Sequence, residues 1–434
     1  MIRTMKKEVL IGTFFLILSN NPLFAAGTVS LEHNIGVNSV GQEKNYSQSY
    51  ADLSITDKKE ILRWDGVVDF SARAYTSNDQ GAIFSLSEAY ITKTQGRTSY
   101  SVGRKILPWN PNEKTWGLNE LNGQRAFNLT ETNQEGISGL HFVRQASYSK
   151  LHIFASFLHI PQLNPTFTTD KGIIKGKNEW ANLPPTRVRF QDNDVPVYYK
   201  VIFPEISEII LQPSAGIYNS WESSDNTFYG YATFKPENSI RINATGYYEQ
   251  FEEERALVTA KPFVNHHVVT GLGWKNEGER VSYGVNVERI SPLNGKDDSF
   301  VFESLKIEPI YRDETFVTSQ LSWNTDRFNV ELAHIYLAEG NDVISNAFAK
   351  KPRWRNAVGL GTSYSFTDNF NVNVNVKRDL ELSDVVIKSQ LNYKLSKHTL
   401  VSSGVQLIEA PDENSFWAPY RVNDSVFSRI SFLY

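Results

Sequence analysis

Asn369-Phe370-Asn371-Val372-Asn373-Val374-Asn375-Val376-Lys377 is the stretch on which the fold turns. Every even-numbered residue in it is apolar and every odd-numbered residue is polar. Side chains of an extended strand alternate between two faces, so Phe370, Val372, Val374 and Val376 share one face. Four asparagines and Lys377 share the other. Wound as a helix, the same residues scatter around the axis, and no face results.

The pattern spreads in both directions. Upstream, Trp354, Val358, Leu360, Tyr364 and Phe366 fall on one face, with Arg353, Arg355, Gly359, Gly361 and Ser363 on the other. Val281, Tyr283, Val285 and Val287 alternate with Arg280, Ser282, Gly284, Asn286 and Glu288. Phe328, Val330 and Leu332 alternate with Arg327, Asn329 and Glu331, and Ile240 and Ile242 with Arg241 and Asn243. Downstream, Ile387, Leu391 and Tyr393 alternate with Lys388, Gln390 and Asn392. The polar faces carry too much charge, Gly, Ser and Asn to pack against a second sheet, and a soluble sandwich rarely needs strands of ten residues. A closed membrane barrel needs both features, because one face meets lipid and the other water. A periplasmic all-β domain is the competing reading.

Composition alone points elsewhere. The chain has 434 residues, 40% hydrophobic and 21% charged, with a mean hydropathy of -0.37. Averages of that kind describe a soluble protein of two or three domains. Alternation hides apolar surface from such averages. Aromatic residues make up 13% and cysteine is absent, which excludes a disulfide scaffold, a Cys-based zinc site and a thiol enzyme. Basic residues number 44 against 48 acidic ones, so there is no nucleic-acid footprint.

Residues 1–26 read as a signal peptide that is removed, leaving 27–434 as a single barrel domain. Arg3, Lys6 and Lys7 precede a ten-residue core from Val9 to Leu18, and small residues follow at Ala25, Ala26 and Gly27. Ten residues are too few for a membrane-spanning helix, which needs about 20. No later apolar run approaches that length.

Turn chemistry punctuates the alternation at 94–97, 236–238, 276–278, 367–369 and 395–397. The expected fold class is an all-β, antiparallel up-and-down transmembrane barrel of 18–20 strands, with long loops at 107–134 and 161–207. Wall strands are expected to begin near Glu208, Asn238, Pro262 and Ser299, among others. Two stretches, 251–261 and 291–298, look like long outer loops, yet strand parity places them at the short-turn end. Asp194 to Phe203 reads as a possible additional strand. Aromatics near segment ends (Trp274, Trp323, Trp354, Phe366 and Tyr393) fit the girdles of a barrel at its two interfaces.

The last eleven residues, Asp424 to Tyr434, alternate again and end on an aromatic. This resembles the final strand of Gram-negative outer-membrane barrels of the porin-like class. The resemblance implies that Ile430, Phe432 and Tyr434 form an assembly signal read by the outer-membrane barrel assembly machinery. It also implies a location in the lipid bilayer of the outer membrane, with the protein monomeric or a homotrimer.

A second resemblance lies in the first long loop. A strand ending Gly103-Arg104-Lys105, an Asn/Pro/Trp-rich loop beginning near Trp109, and Glu135-Gly136-Ile137-Ser138-Gly139 are similar to porin-like and substrate-specific barrels whose loop dips into the lumen. On that reading Lys105, Trp109, Glu113, Lys114, Trp116, Glu120 and Arg125 line a constriction. The residues themselves leave an outward surface loop open, and tryptophans can anchor a loop as well as face a solute. From the walls, Arg241, Arg280, Arg353, Arg355, Lys377 and Lys388 against Glu288 and Glu331 suggest a mild anion preference.

Enzyme signatures are missing. No histidine stands two places before a serine, as a barrel phospholipase requires, and His266 and His267 are adjacent and so point to opposite faces of a strand. Neither His-Glu-x-x-His nor a phosphate loop occurs. The acidic run at 191–194 could meet a divalent cation, but an ordinary solvated loop accounts for it better. The expected function is passive diffusion of small hydrophilic solutes, with no cofactor, no metal and no catalytic residue. The alternative is a closed barrel acting as a surface adhesion, receptor or structural protein.

Overall fold

The computed structural model describes residues 26–36, 47–61, 64–75, 82–125, 127–131, 133–162, 164–165, 167–176, 178–190, 193–249, 254–293, 306–307, 311–340 and 351–433. The expected signal segment and Tyr434 lie outside them. The wall begins with β1 (Ala26–Gly36), β2 (Ser47–Ile61), β3 (Trp64–Tyr75), β4 (Ala82–Gln95), β5 (Thr98–Lys105) and β6 (Ile137–Gln145). It continues through β7 (Ser149–Ser156), β8 (Ser214–Ser223), β9 (Asn226–Pro236), β10 (His266–Glu277), β11 (Val281–Pro292) and β12 (Glu314–Asn324). The last six are β13 (Phe328–Glu339), β14 (Asn356–Thr367), β15 (Phe370–Asp379), β16 (Val385–Ser396), β17 (Thr399–Glu409) and β18 (Ser425–Leu433).

Each strand pairs antiparallel with its neighbours in this order, giving one 18-stranded sheet. Pairing of β1 with β18, from Thr28↔Leu433 to Gly36↔Ser425, closes it. Closure removes every free edge, so all wall backbone groups can be paired within a bilayer. Among the described residues no helix is long and apolar enough to cross a membrane; the strands do so.

Alternation becomes inside and outside. Leu272, Val285, Leu332, Leu360 and Leu391 are exposed on the outer face, while Asn286, Glu288, Thr318, Asn392 and Gln406 are buried on the inner one. At one end the connections are two or three residues long; at the other they include 106–136, 157–213, 237–265, 293–313, 340–355 and 410–424. At the short-turn end aromatics form a row on the outer face. Trp274 packs against Phe228 and Tyr283 with centroids 6.4 and 5.0 Å away. Phe328 does so against Trp323 and Tyr364 at 5.8 and 6.2 Å.

Three expectations are corrected. The first is that the strand near Asn238 belongs to the wall and that 251–261 is a plain loop; the strand expected near Pro262 is β10, starting at His266. Arg241–Glu249 and Arg255–Phe263 instead form a hairpin in a separate five-stranded sheet with Arg187–Phe190, Asn193–Val201 and Lys306–Ile307. Here Asn193–Val201 runs parallel to Arg255–Phe263, a pairing that an up-and-down barrel does not contain. Because β9 pairs directly with β10, Pro236 opposite His266, removing the one strand near Asn238 from the count brings the connection after β11 to the long-loop end. The parity conflict disappears.

The second concerns the strand near Glu208. Ile206–Ile210 is a short helix, α1, and β8 starts four residues later at Ser214. The expected strand near Ser299 falls largely outside the described residues, and the wall resumes at β12. The third is Trp354, which is no girdle residue. It precedes β14 and is buried against Trp116 and Trp417, with centroids 6.0 and 5.3 Å away.

Candidate functional site: the loop inside the barrel

The connection 106–136 starts at a kink. Gly103 has φ +130°, and a Cβ there would lie 2.1 Å from the Ala89 carbonyl oxygen. Within the loop, α2 (Glu113–Trp116) is a single turn closed by Gly117 in the left-handed region. A Cβ on Gly117 would meet the Arg353 guanidinium at 2.2 Å, so both φ and crowding require glycine.

Glu113 organises the loop from its centre. Its carboxylate accepts the backbone N–H groups of Leu121 and Asn122 at 3.0 and 2.9 Å, and the side-chain amides of Asn122 and Gln134 at 2.6 and 2.9 Å. Burial pushes this carboxyl up to about 8, while the Asn122 and Leu121 donors pull it back. Asn122 in turn holds both the N–H and the carbonyl of Leu107 at 2.8 Å.

From this centre the loop reaches inward-facing side chains around the wall. Trp109 Nε1 donates to His152 of β7 at 3.0 Å, and its ring stacks on Tyr218 of β8 at 5.7 Å. Asn110 donates to Glu288 of β11 at 3.1 Å, Asn112 to Thr318 of β12 at 2.9 Å, and Thr115 to Glu331 of β13 at 3.1 Å. Lys377 of β15 donates to the Thr115 carbonyl, and Thr130 to Gln406 of β17. Arg125 donates to Ser71 of β3 at 2.6 Å. Inner faces of eight strands therefore hold one loop, which lies within the ring they form.

At the loop's far end Glu131 meets three cations: Lys388 of β16 at 3.3 Å, Arg429 of β18 at 3.5 Å and Arg73 of β3 at 3.8 Å. Burial alone would raise its carboxyl, but Lys388, Arg73 and Arg429 hold it down at about 2. Arg73 is also bound in two-pronged fashion by Asp52, at 2.7 and 2.9 Å, and Arg429 by Glu32.

The expected site residues separate into groups. Glu113, Trp109 and Trp116 are buried inside the loop. Glu120 pairs with His267 at 3.3 Å, and Lys105 lies over the Tyr90 ring at 4.8 Å. Lys114 is exposed. Arg353 donates to the carbonyls of Gly117, at 3.2 Å, and Leu129, and sits 4.9 Å above the Trp417 ring; burial brings it down to about 10.

Three cations fall away from the lumen wall. Arg241 is buried in the side sheet against Glu237 and Tyr311. Arg280 is exposed in the turn before β11, and Arg355 faces Glu381 at 2.8 Å in the connection before β14. All three were placed on wall strands because each stands next to an alternating run. Unforeseen were Arg73, Arg429, Glu131, Glu32 and Asp52. Glu131 lies in the loop and the other four at polar positions of alternating strands, Arg429 one residue before Ile430, but which of them meet depends on strand pairing and on the loop's path. Ile430 and Phe432 share the outer face of β18. Gln191 and Asp192 lie outside the described residues, and Asp194 accepts from Arg187 at 2.7 Å.

Four long connections meet through aromatic rings. Trp116 contacts Trp354, which contacts Trp417; Trp417 contacts Tyr420 at 6.4 Å, and Tyr420 contacts Trp180 at 5.6 Å. Every ring in this chain is buried. Among the described residues no cluster of three or more metal-ligating side chains is present.

No protein-family model matches the chain, and no curated protein does. Among solved structures it is similar to Acinetobacter baumannii OccAB3, at 8% identity over 94% of this chain and 98% of that one, with a TM-score of 0.51. It also aligns with Salmonella typhi OmpF in complex with daunomycin, at 10% identity over 94% and 96% with a TM-score of 0.45. A mutant of Rh. blastica porin aligns at 10% identity over 94% and 99%, with a TM-score of 0.40. The class defined by this fold is the porin-like antiparallel barrel, and the OccAB3 likeness is one of fold.

Proposed function

We propose that the protein is an outer-membrane channel through which small hydrophilic solutes diffuse passively, narrowed by the loop 106–136. The observation carrying this reading is the loop's position: it is held by inward-facing side chains on eight strands of a closed barrel, seven through hydrogen bonds and one through a ring stack. A lumen lined by Asn, Ser, Gln and charged groups is a wetted surface, and a loop pinned across it sets the width of the passage. The exposed Lys114 and the Glu131 cluster are the charges that a solute would meet. The terminal strand, with Ile430, Phe432 and Tyr434, would be the signal for the assembly machinery.

The anion preference expected from the wall cations is weakened. Arg241, Arg280 and Arg355 lie elsewhere, and Arg73, Lys388 and Arg429 face Glu131, Asp52 and Glu32. A weakly selective passage follows. Liposome swelling tests the proposal: vesicles holding the refolded protein should admit a pentose quickly and a trisaccharide slowly. Equal exclusion of both would overturn it. The buried aromatic chain across four connections favours the second reading, a closed barrel that works at its surface, and that exclusion is the result expected of it.

A further inference from the structure

The barrel wall is not of even height. Strands β5 and β7 have 8 residues each, against 15 in β2. Eight residues at ~3.4 Å each, tilted by about 40°, rise roughly 21 Å, which falls short of an apolar band about 25 Å tall. Bilayer-spanning strands usually need about 9–11 residues. The turns at the short-turn end are uniformly tight, so the deficit in this sector lies at the long-loop end.

Something apolar stands where the wall is missing. On β7 the outward row Ile153, Ala155 continues one step past the strand to Phe157, which is 79% exposed. On β8 the outward row Ile217, Ala215 runs back past the strand start through Pro213 to Leu211, 65% exposed. In the segment leading into Leu211, Phe203 is 75% exposed and Ile206, on α1, is 74% exposed. A hydrogen bond from the His159 N–H to the Ile210 carbonyl, 2.7 Å long, ties the two segments together. Large side chains this open rarely face water in a cluster.

We propose that 157–160 and 202–211 form a lipid-contacting rim that completes the hydrophobic belt over the low wall, its occupant being the acyl chains of the leaflet on the long-loop side. Continuity decides for lipid: Phe157 and Leu211 extend, at the same two-residue spacing, outward rows of β7 and β8, and the segment carrying Phe203 and Ile206 leads through α1 directly into Leu211. The rim does not depend on whether the lumen conducts.

The chain has no cysteine, so single-cysteine variants can be labelled with an environment-sensitive fluorophore without background. F203C and I206C would be labelled in proteoliposomes, with I217C as the in-bilayer reference and D225C as the aqueous one. Quenching by nitroxide attached high on the lipid acyl chain should reduce emission at 203 and 206 at least twofold, as at 217, and iodide should leave it unchanged. Quenching by iodide, as at 225, would overturn the proposal. Protection from both quenchers would also overturn it, by placing a second copy of the chain on the rim. Retention of the compact, SDS-resistant form by each variant shows that the barrel is intact.

Discussion

Glu131 lies within 3.8 Å of Arg73, Lys388 and Arg429, so neutralising it removes one negative charge from a cluster in which Asp52 and Glu32 still pair Arg73 and Arg429. Glu131→Gln should shift the reversal potential toward anions, changing the permeability ratio roughly twofold or more; no shift would mean that ions do not pass this cluster. The sign of the pH effect follows from its depressed pKa. Holding the carboxylate at about 2 gives a contribution that is complete above the ordinary carboxylate value of about 4.5. It is lost as pH falls toward 2. Channel recordings should therefore stay quiet from pH 7 to 5 and grow noisy only as pH approaches 2. Arg353 works differently, through its bonds to two loop carbonyls, those of Gly117 and Leu129. Arg353→Met should leave both unpaired at roughly 1–3 kcal/mol each, seen as faster protease cleavage within 106–136. Arg353→Lys should restore little, since one ammonium lacks the guanidinium's fork.

Elements differ in how openly the sequence declares them. β15 runs Phe370–Asp379, almost the stretch that opened the reading, because unbroken alternation of Asn with Val leaves no other structure. Arg241–Glu249 alternates as well, yet it belongs to the side sheet. A period of two reports a strand with two different faces and carries no information about which sheet receives it. The conflict in parity was the only local sign, and it had a structural cause. Loop 106–136 was legible as unusual from its Asn, Pro and Trp content, but its partners were not, since each contact joins residues up to 298 positions apart. Trp109 and Trp116 could be read as solute-facing planes or as anchors; burial makes them anchors. If the hairpin is no part of the wall, replacing 241–263 with a short Gly/Ser linker should preserve the compact, SDS-resistant form. Loss of that form would return those strands to the barrel.

At the scale of the whole molecule, one closed sheet separates lipid from a lumen that its own long connections enter. Tight turns at one end and long loops at the other give it a polarity, and the aromatic row marks the tight-turn end. The average hydropathy of a soluble protein arises because each wall strand contributes one residue to water for each one it gives to lipid. Single-channel conductance of the refolded protein, compared with that of a variant lacking 109–131, tests the central claim most directly. The expected result is a small, steady conductance in the intact chain that rises severalfold once the loop is removed. Absence of conductance in both forms, or the same conductance in both, would contradict a channel narrowed by this loop.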